Sequence, residues 1–303
     1  MSSTDVRDSA APRILVIGEA LIDIVERDGE STEHVGGSPA NVALTLARLG
    51  REATLVTDIA DDERGRRIAE HLGASGVTVL HGDAERTSTA RARLQEDGSA
   101  EYDFDLSWNP PAADPSSATH VHTGSIAVYL EPGGSAIVEL LEALPAGVTA
   151  SVDANIRPAL VGEHNDALAR FERVAAACEI VKLSDEDAEW LYPTMQLDEV
   201  LTRLLELGAQ LAVVTRGGEG LLLASAVARA TVPAARIVVA DTIGAGDSAM
   251  GAILDEAFRQ GLGAPNGLLL DEPSLRAIGH WAARVAGITT SRSGANPPTR
   301  GEL

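Results

Sequence analysis

Five short apolar runs, separated by stretches with helical periodicity, constrain the fold of this sequence more than any other feature. They are RILVIG (13–18), THVHTG (119–124), TASVDAN (149–155), CEIVKLS (178–184) and AQLAVVTRG (209–217). Apolar runs without polar alternation are typical of parallel strands that are buried on both faces. Their repetition between helical segments predicts βαβ units, and therefore an α/β fold with a doubly wound, mostly parallel sheet.

Polar residues follow these runs, at the ends where parallel α/β sheets bind ligands. The positions are Asp23, 123–125, 153–157, 182–187 and 215–220. We therefore expect these segments to converge on one edge of the sheet.

Residues 87–108 interrupt the strand and helix rhythm. Their polar and apolar residues alternate around Asp97-Gly98, a pair that favours a tight β-hairpin turn. The alternation after Gly18 is similar. These two segments predict a small β-unit beside the main sheet.

Composition excludes several classes of partner and site. The 45 acidic and 24 basic residues give a net charge of −21, which repels both nucleic acid and anionic membranes. The single cysteine, Cys178, excludes an intrachain disulfide. Residues 1–12 resemble a loose polar tail without export features, and the sequence has no apolar stretch of transmembrane length, so we expect a cytoplasmic protein.

The segment DTIGAGDSAMGAIL (241–254) contains three glycines, two of which lie just before Asp247 at the start of an apolar helix. Such a turn exposes unpaired amides at the positive end of the helix dipole and can bind an anion. A carboxylate beside the anion, here Asp247, can accept a proton from an attacking hydroxyl. The alternative is a packing turn in which Asp247 only complements the dipole. The sequence contains neither a P-loop nor a dinucleotide-binding glycine pattern.

The segment VGGSPANVALTLARLG (35–50) has two glycines before a helix for which Ser38 is the predicted N-cap. Gly36 and Gly37 allow a polyol to approach the backbone closely, and the Asn41 amide can bond neighbouring hydroxyls. An ordinary helix start remains an alternative explanation.

Together, GGSPANVALTLARLG and DTIGAGDSAMGAIL resemble the paired signatures of the PfkB (ribokinase-like) family of sugar kinases, over nearly the whole chain. The resemblance implies one α/β kinase domain over 13–303, with lid segments at about 20–36 and 87–108.

The resemblance also implies roles for individual residues. Asp247 would be the catalytic base, and the backbone of Gly244, Ala245 and Gly246 would form an anion hole. The sugar would be bound by Asp23, Gly36, Gly37, Asn41, Arg157 and Asp247. The nucleotide would be bound by Lys182, Ser184, Thr215, Gly217, Gly220 and Gly246.

The cofactors implied are ATP, Mg²⁺ and K⁺. Many family members carry N-x-x-E where this chain has Ser184 and Asp187, so Asp187 is the expected outer-shell Mg²⁺ residue. The backbone carbonyls of Asp241, Ile243 and Gly294 match the place where many members bind a monovalent cation.

The resemblance predicts transfer of the ATP γ-phosphate to a primary hydroxyl of a small sugar. Fructose is the first choice, because GEALID, SPAN, SVDANIRPAL and KLSDED are most similar to fructokinases. The alternatives are 2-keto-3-deoxygluconate kinase, for which Arg91, Arg93 or Arg157 would bind the sugar-acid carboxylate, ribokinase, and a sensor without catalysis. We also expect a homodimer formed through the lid.

Overall fold

Two separate β-sheets organise the chain. The computed structural model describes residues 12–27, 30–94, 100–262 and 270–303. The predicted N-terminal tail up to residue 11 and the Asp97-Gly98 turn lie outside these residues.

The strands are β1 (Arg13–Ile17), β2 (Leu21–Arg27), β3 (Glu30–Gly36), β4 (Glu52–Thr57), β5 (Thr78–His81), β6 (Thr89–Leu94), β7 (Ala100–Asp105), β8 (His120–Gly124), β9 (Thr149–Asp153), β10 (Ile180–Ser184), β11 (Leu211–Thr215), β12 (Leu221–Ala224) and β13 (Arg229–Val232). The helices are α1 (Ser38–Arg48), α2 (Glu63–Gly73), α3 (Gly133–Glu142), α4 (His164–Ala175), α5 (Asp185–Leu191), α6 (Leu197–Leu207), α7 (Ala245–Arg259) and α8 (Glu272–Thr290).

The larger sheet has nine strands in the order β13-β12-β11-β10-β9-β8-β1-β4-β5. Its strands are parallel except for the pairings of β12 with β11 and with β13. The five apolar runs are β1 and β8 to β11, which lie side by side in the middle of this sheet. The predicted α/β class with a mostly parallel sheet is confirmed.

Strand β1 shows why these runs are continuously apolar. Ile14 and Val16 enter the core formed with α1, α2, α7 and α8, whereas Leu15 and Ile17 enter the core formed with α3 to α6. Helices therefore cover both faces of the sheet, and each of the last four side chains of β1 is buried in one core or the other.

The smaller sheet, which we call the lid, has the strand order β3-β2-β6-β7. The chain leaves the larger sheet after Ile17 and enters the lid at Leu21. Ile22 and Ile24 join the core beside α2, so the alternate residue, Asp23, faces the opposite side of the lid. Antiparallel pairing of β6 with β7 confirms the predicted hairpin.

Asp255, on α7, holds the C-terminal segment against the core. Its fully buried carboxylate accepts hydrogen bonds from Arg51 Nε (2.7 Å), Arg300 Nη2 (2.8 Å) and Trp281 Nε1 (3.0 Å). The same C-terminal segment places Ala295 against the loop that precedes α7. Within the described ranges, no helix combines the length and apolarity needed to cross a bilayer.

Candidate active site

Asp247 lies in the first turn of α7, and its carboxylate is buried. The Ser38 hydroxyl donates to Oδ1 (2.7 Å), and Asn41 Nδ2 donates to Oδ2 (2.8 Å). Burial raises the pKa of Asp247 above its ordinary value, although these two hydrogen bonds oppose the shift. A general base works best when its pKa approaches the working pH, so the shift favours proton acceptance.

The prediction that Ser38 caps α1 is wrong. The helix begins at Ser38 itself, its N-cap is Gly37 with φ 103°, and no side chain bonds the cap. The Ser38 hydroxyl donates to Asp247 instead. The two motifs that are distant in sequence therefore meet through Ser38 and Asn41.

The loop before α7 and the first turn of the helix contain free amides. Gly244 adopts the left-handed conformation (φ 72°) as the N-cap, and the Ala245 amide donates to Thr242 O at 3.2 Å. Among the described residues, the amides of Gly244, Gly246 and Asp247 have no acceptor. These three amides lie at the positive end of the helix, where an anion can bind, and we call them the cradle. Ala245, which the resemblance placed in the anion hole, uses its amide inside the turn.

Gly244 and Gly246 are glycines for different reasons. A Cβ on Gly244 would lie 2.6 Å from Ala295 Cβ, and its positive φ disfavours any other residue. A Cβ on Gly246 would meet only Lys182 Nζ, at an ordinary 3.7 Å. Packing therefore requires glycine at 244, whereas no packing contact requires it at 246.

We expect opposite stability effects from alanine at these two glycines. Gly244→Ala forces a left-handed alanine against Ala295 and should cost about 1–2 kcal/mol of folding free energy. Gly246→Ala should leave the free energy of unfolding unchanged or raise it, because alanine favours helix. Both changes should lower kcat at least tenfold. Urea unfolding and steady-state kinetics measure the two effects; a fully active Gly246→Ala variant contradicts the cradle.

Lys182 is the only lysine of the chain, among 24 basic residues. Its side chain is 4% exposed, and Nζ donates to both Asp153 carboxylate oxygens, at 2.8 and 2.7 Å. Burial raises the pKa of Asp153 to about 6 despite this partner. The Lys182 ammonium thus lies next to Gly246 and places a positive charge beside the cradle.

Asp23 and Gly36 meet in the lid. Asp23 Oδ2 lies 2.0 Å from the position of a Cβ on Gly36, so glycine is required there. Burial raises the pKa of Asp23 to about 6, although the charge of Arg157 lowers it. Asp247 also acts on Asp23 electrostatically. Asn41 of α1 thus bonds Asp247, and Asp23 of the lid lies near enough to interact with Asp247 electrostatically.

Arg157 follows β9 in an unusual loop. Asn155 has a positive φ of 36°, and its Oδ1 accepts from Arg157 Nη1 at 2.8 Å. The exposed guanidinium lowers the pKa of both Asp23 and Asp247. Arg157 thus supplies positive charge at the open side of the site.

Sequence reasoning missed Glu19, which lies between β1 and the lid. Its carboxyl is buried, and burial raises its pKa to about 7. The charges of Arg157 and Asp247 act on it, as they do on Asp23. The signal was an acidic residue directly after Gly18 at the end of a buried strand.

A model of the pfkB family carbohydrate kinases matches residues 11–300. The chain belongs to the pfkB family of carbohydrate kinases. The family recognised from the two motifs is thus confirmed, and the chain is a sugar kinase rather than a sensor without catalysis.

The individual relatives of this kinase that are most informative are named fructokinases. A fructokinase from Rhizobium leguminosarum bv. trifolii is 36% identical, and the match covers 78% of this chain and 76% of the relative. Probable fructokinase-4 from Arabidopsis thaliana is 32% identical over 96% of this chain and 95% of its own. The crystal structure of a fructokinase with bound ATP from Xylella fastidiosa has a TM-score of 0.78 at 27% identity, with 93% of each chain covered.

The predicted nucleotide loop of this kinase follows β11. Thr215 ends the strand, Gly217 has φ 46°, and Gly220 has φ 92° with no room for a Cβ beside Val232 O. Arg216, in the same loop, is paired with Glu219 at 3.0 Å. The loop therefore offers mainly backbone groups for contact with a ligand.

A second feature missed from the sequence is the apolar run Ile237–Val239. Such a run normally predicts a buried strand, but Val238 is 87% exposed and Val239 is 62% exposed. The run connects Val232, beside the glycine loop, with Asp241 at the cradle. It forms an exposed apolar surface between the two.

Ser184 and Asp187, the predicted Mg²⁺ region, form a capping box at the start of α5. Asp187 Oδ2 accepts from Ser184 N (2.8 Å), and Oδ1 accepts from Ile156 N (2.7 Å). In the described part of the chain, no cluster of three acidic, His or Cys residues is built to hold a metal. A single carboxylate suits an ion that keeps water and phosphate ligands, as Mg²⁺ does.

The three residues predicted for a monovalent cation are brought together. The Asp241 carboxylate accepts from Ile243 N (3.0 Å) and from Gly294 N (2.8 Å). Gly294 has φ 67°, and its carbonyl accepts from Asn296 N. Asp241 thus ties the cradle loop to the C-terminal segment.

Arg91 and Arg93, the candidates for a sugar-acid carboxylate, lie on the wrong face. Both pair with Glu26. Glu26 shares its lid face with Ile22 and Ile24, and Asp23 faces the other way. Of the three arginines considered, only Arg157 reaches the site.

Proposed function

We propose that this kinase transfers the γ-phosphoryl group of ATP to the primary hydroxyl of fructose. The observation that carries the proposal is the buried Asp247 carboxylate, held by Ser38 and Asn41 beside the free amides at the start of α7. This arrangement places a proton acceptor next to an anion site, which is the combination that phosphoryl transfer to an alcohol requires.

In the proposed mechanism, an Asp247 oxygen accepts the proton of the sugar hydroxyl as the hydroxyl oxygen bonds to the γ-phosphorus. The bond from phosphorus to the β,γ-bridging oxygen breaks, and ADP leaves with the electron pair. The amides of Gly244, Gly246 and Asp247 stabilise the charge on the transferred group. Lys182, below Gly246, adds positive charge from the protein side.

ATP is supported as donor by the free amides and the exposed apolar run. We place the phosphates at the cradle, the purine against Ile237–Val239, and the nucleotide backbone along the loop from Thr215 to Gly220. Mg²⁺, when bound, neutralises the phosphate oxygens, and Asp187 would hold its water shell. A K⁺ ion at the carbonyls of Asp241, Ile243 and Gly294 would order the cradle loop.

We also propose a homodimer and a cytoplasmic location. The lid has two edge strands, β3 and β7, and Ser31, Thr32 and His34 of β3 are exposed. Pairing with a second copy covers such an edge. The free, buried Cys178 is compatible with the reducing compartment in which ATP is abundant.

A comparison of substrates tests the sugar assignment. With ATP saturating, we expect kcat/KM for fructose to exceed that for ribose and for 2-keto-3-deoxygluconate by at least about 10-fold, the scale of one lost group in a fitted site. The sugar acid should be the poorer substrate because, of Arg91, Arg93 and Arg157, only Arg157 faces the site, and its guanidinium is already bonded within its loop. A preference for the sugar acid contradicts the fructose assignment and makes Arg157 its carboxylate ligand.

A further inference from the structure

Two carboxylates in the loop between β4 and α2 hold the base of the lid. Asp62, the N-cap of α2, accepts from the Thr87 amide (3.0 Å) and from the Thr87 hydroxyl (2.7 Å), just before β6. Asp58 accepts from the Ser107 hydroxyl (3.1 Å) and from the Asn109 amide (2.9 Å), just after β7. The β6-β7 hairpin is therefore fixed to this loop both where the chain enters it and where the chain leaves it.

A third carboxylate, Glu33, joins the opposite edge strand of the lid, β3, to α2. Its side chain accepts from Arg64 Nε (3.1 Å) and Arg67 Nη1 (3.0 Å), and its carbonyl oxygen accepts from Arg67 Nη2 (3.0 Å). Both arginines lie in the first two turns of α2, where the positive end of the helix dipole disfavours more positive charge. Glu33 compensates for that charge. We call Glu33, Arg64 and Arg67 the clamp.

The clamp lies on the lid face that points away from Asp23. In the register of β2 and β3, Glu33 is paired with Ile24, whereas its neighbour His34 is paired with Asp23. Residues paired directly across two strands share a face, so Glu33 shares the face of Ile24, which enters the core beside α2. Glu33 therefore acts on the position of β3 and does not touch a ligand beside Asp23.

Strand β3 leads directly into the predicted sugar site. It ends at Gly36, where the Asp23 carboxylate occupies the space of a side chain, and α1 with Asn41 follows. Asp23 itself lies on β2, between β3, which the clamp holds, and β6, whose start Asp62 holds. The two attachments to α2 thus flank the strand that carries Asp23.

We infer that Glu33 is a positioning residue for the sugar: its ion pairs with α2 hold the lid in place and so keep Asp23 close enough to Asp247 for one sugar to bond both. When the clamp is broken, β3 can turn away from α2 about the base held by Asp58 and Asp62, and Asp23 turns with it. The sugar then binds a less populated conformation, which weakens its apparent affinity. The inference rests on the proposed function, since it assumes a sugar that contacts both carboxylates.

The test compares Glu33→Gln with Glu26→Gln in the full-length protein. Glu26 also accepts from two arginines, Arg91 and Arg93, but both of these belong to the lid itself. The two carboxylate side chains are almost equally exposed, at 26% for Glu33 and 28% for Glu26. Each substitution therefore removes the same kind of ion pair, and of the two only Glu33→Gln cuts a link between the lid and α2.

We expect Glu33→Gln to bind fructose about 3- to 10-fold more weakly, the scale of a small network of partly exposed ion pairs. Binding without ATP is measured as the rise in melting temperature with fructose concentration. KM for fructose should rise by the same factor, whereas kcat and KM for ATP should stay within about twofold, because Asp247 and the cradle are unchanged. Glu26→Gln should bind fructose as wild type does. Equal fructose affinity of the two variants means that these ion pairs serve only stability, and it overturns the inference.

Ionic strength provides a second measurement. Fructose is uncharged, so a salt that weakens its binding acts through charges of the protein. Raising choline chloride from about 0.02 to about 0.5 M, with K⁺ constant, should weaken fructose binding to wild type and to Glu26→Gln more than to Glu33→Gln. The same salt dependence in all three proteins contradicts the clamp. If wild type prefers ribose or the sugar acid, the fructose assignment is wrong, and the affinities of the two variants for the preferred sugar still decide whether the clamp positions the lid.

Discussion

Replacement of Asp247 by asparagine is expected to lower kcat by about 10²- to 10⁴-fold, the usual contribution of a general base. Asparagine has nearly the same shape, and its Oδ1 still accepts from the Ser38 hydroxyl. It has no basic oxygen for the sugar proton. KM for ATP should stay within about twofold of wild type, because the cradle amides belong to the backbone.

Asp255→Asn is the matched control, because Asp255 is buried on the same helix, two turns further on. Its carboxylate bonds Arg51 and Arg300, so this variant should lose stability and keep kcat. Asp247→Asn should keep or gain stability, since burial opposes the charge of Asp247. Turnover close to wild type in Asp247→Asn contradicts the assignment of the base.

The middle of the main sheet was predictable because its five central strands are buried on both faces. Where Ile14 and Leu15 enter different cores, a strand must be apolar throughout, and the run is visible in the sequence. The lid was also predictable, from alternation around 87–108. The transfer of the chain from one sheet to the other after Ile17 was harder to place, because residues 13–26 form one nearly continuous apolar pattern.

In the candidate site, the motif identified Asp247 but not how its carboxylate is held. Ser38 has the sequence context of an N-cap, and only the folded chain shows that its hydroxyl is used by a residue from the other motif. Glu19 escaped notice for a similar reason. Its buried oxygen has no partner among the described residues, and hydrogen bonding between distant segments leaves no local pattern.

Arg91 and Arg93 also show that contacts between distant segments cannot be predicted from the sequence alone. Arg91 and Arg93 alternate along a strand, which places them on one face, but the sequence alone does not say which face meets the ligand. Pairing with Glu26 decides the question. The position of these two arginines on a lid strand was thus predictable, whereas the face on which their side chains lie depended on how the lid packs against α2.

Lys182→Met is expected to cost about 3–5 kcal/mol of folding free energy at pH 8. This is the usual penalty for leaving one charge of a buried ion pair without its partner. The pair is nearly inaccessible to solvent, and Met fills a similar volume. The penalty should shrink at pH 5. The pKa of Asp153 is raised to about 6, so below that pH Asp153 is protonated in wild type as well and the pair contributes little there. Urea unfolding at the two pH values measures this difference.

The double variant Lys182→Met, Asp153→Leu separates stability from catalysis. Replacing both partners of a buried pair by apolar residues is often neutral or stabilising, so most of the lost stability should return. Turnover should not return, because the ammonium that lies 3.7 Å from the Cβ position of Gly246 is still missing beneath the cradle. We expect kcat to stay at least about 10-fold below wild type, in line with the loss of one preorganised charge. Recovery of kcat together with stability means that the sole lysine serves only the fold, and that the backbone amides of the cradle act without it.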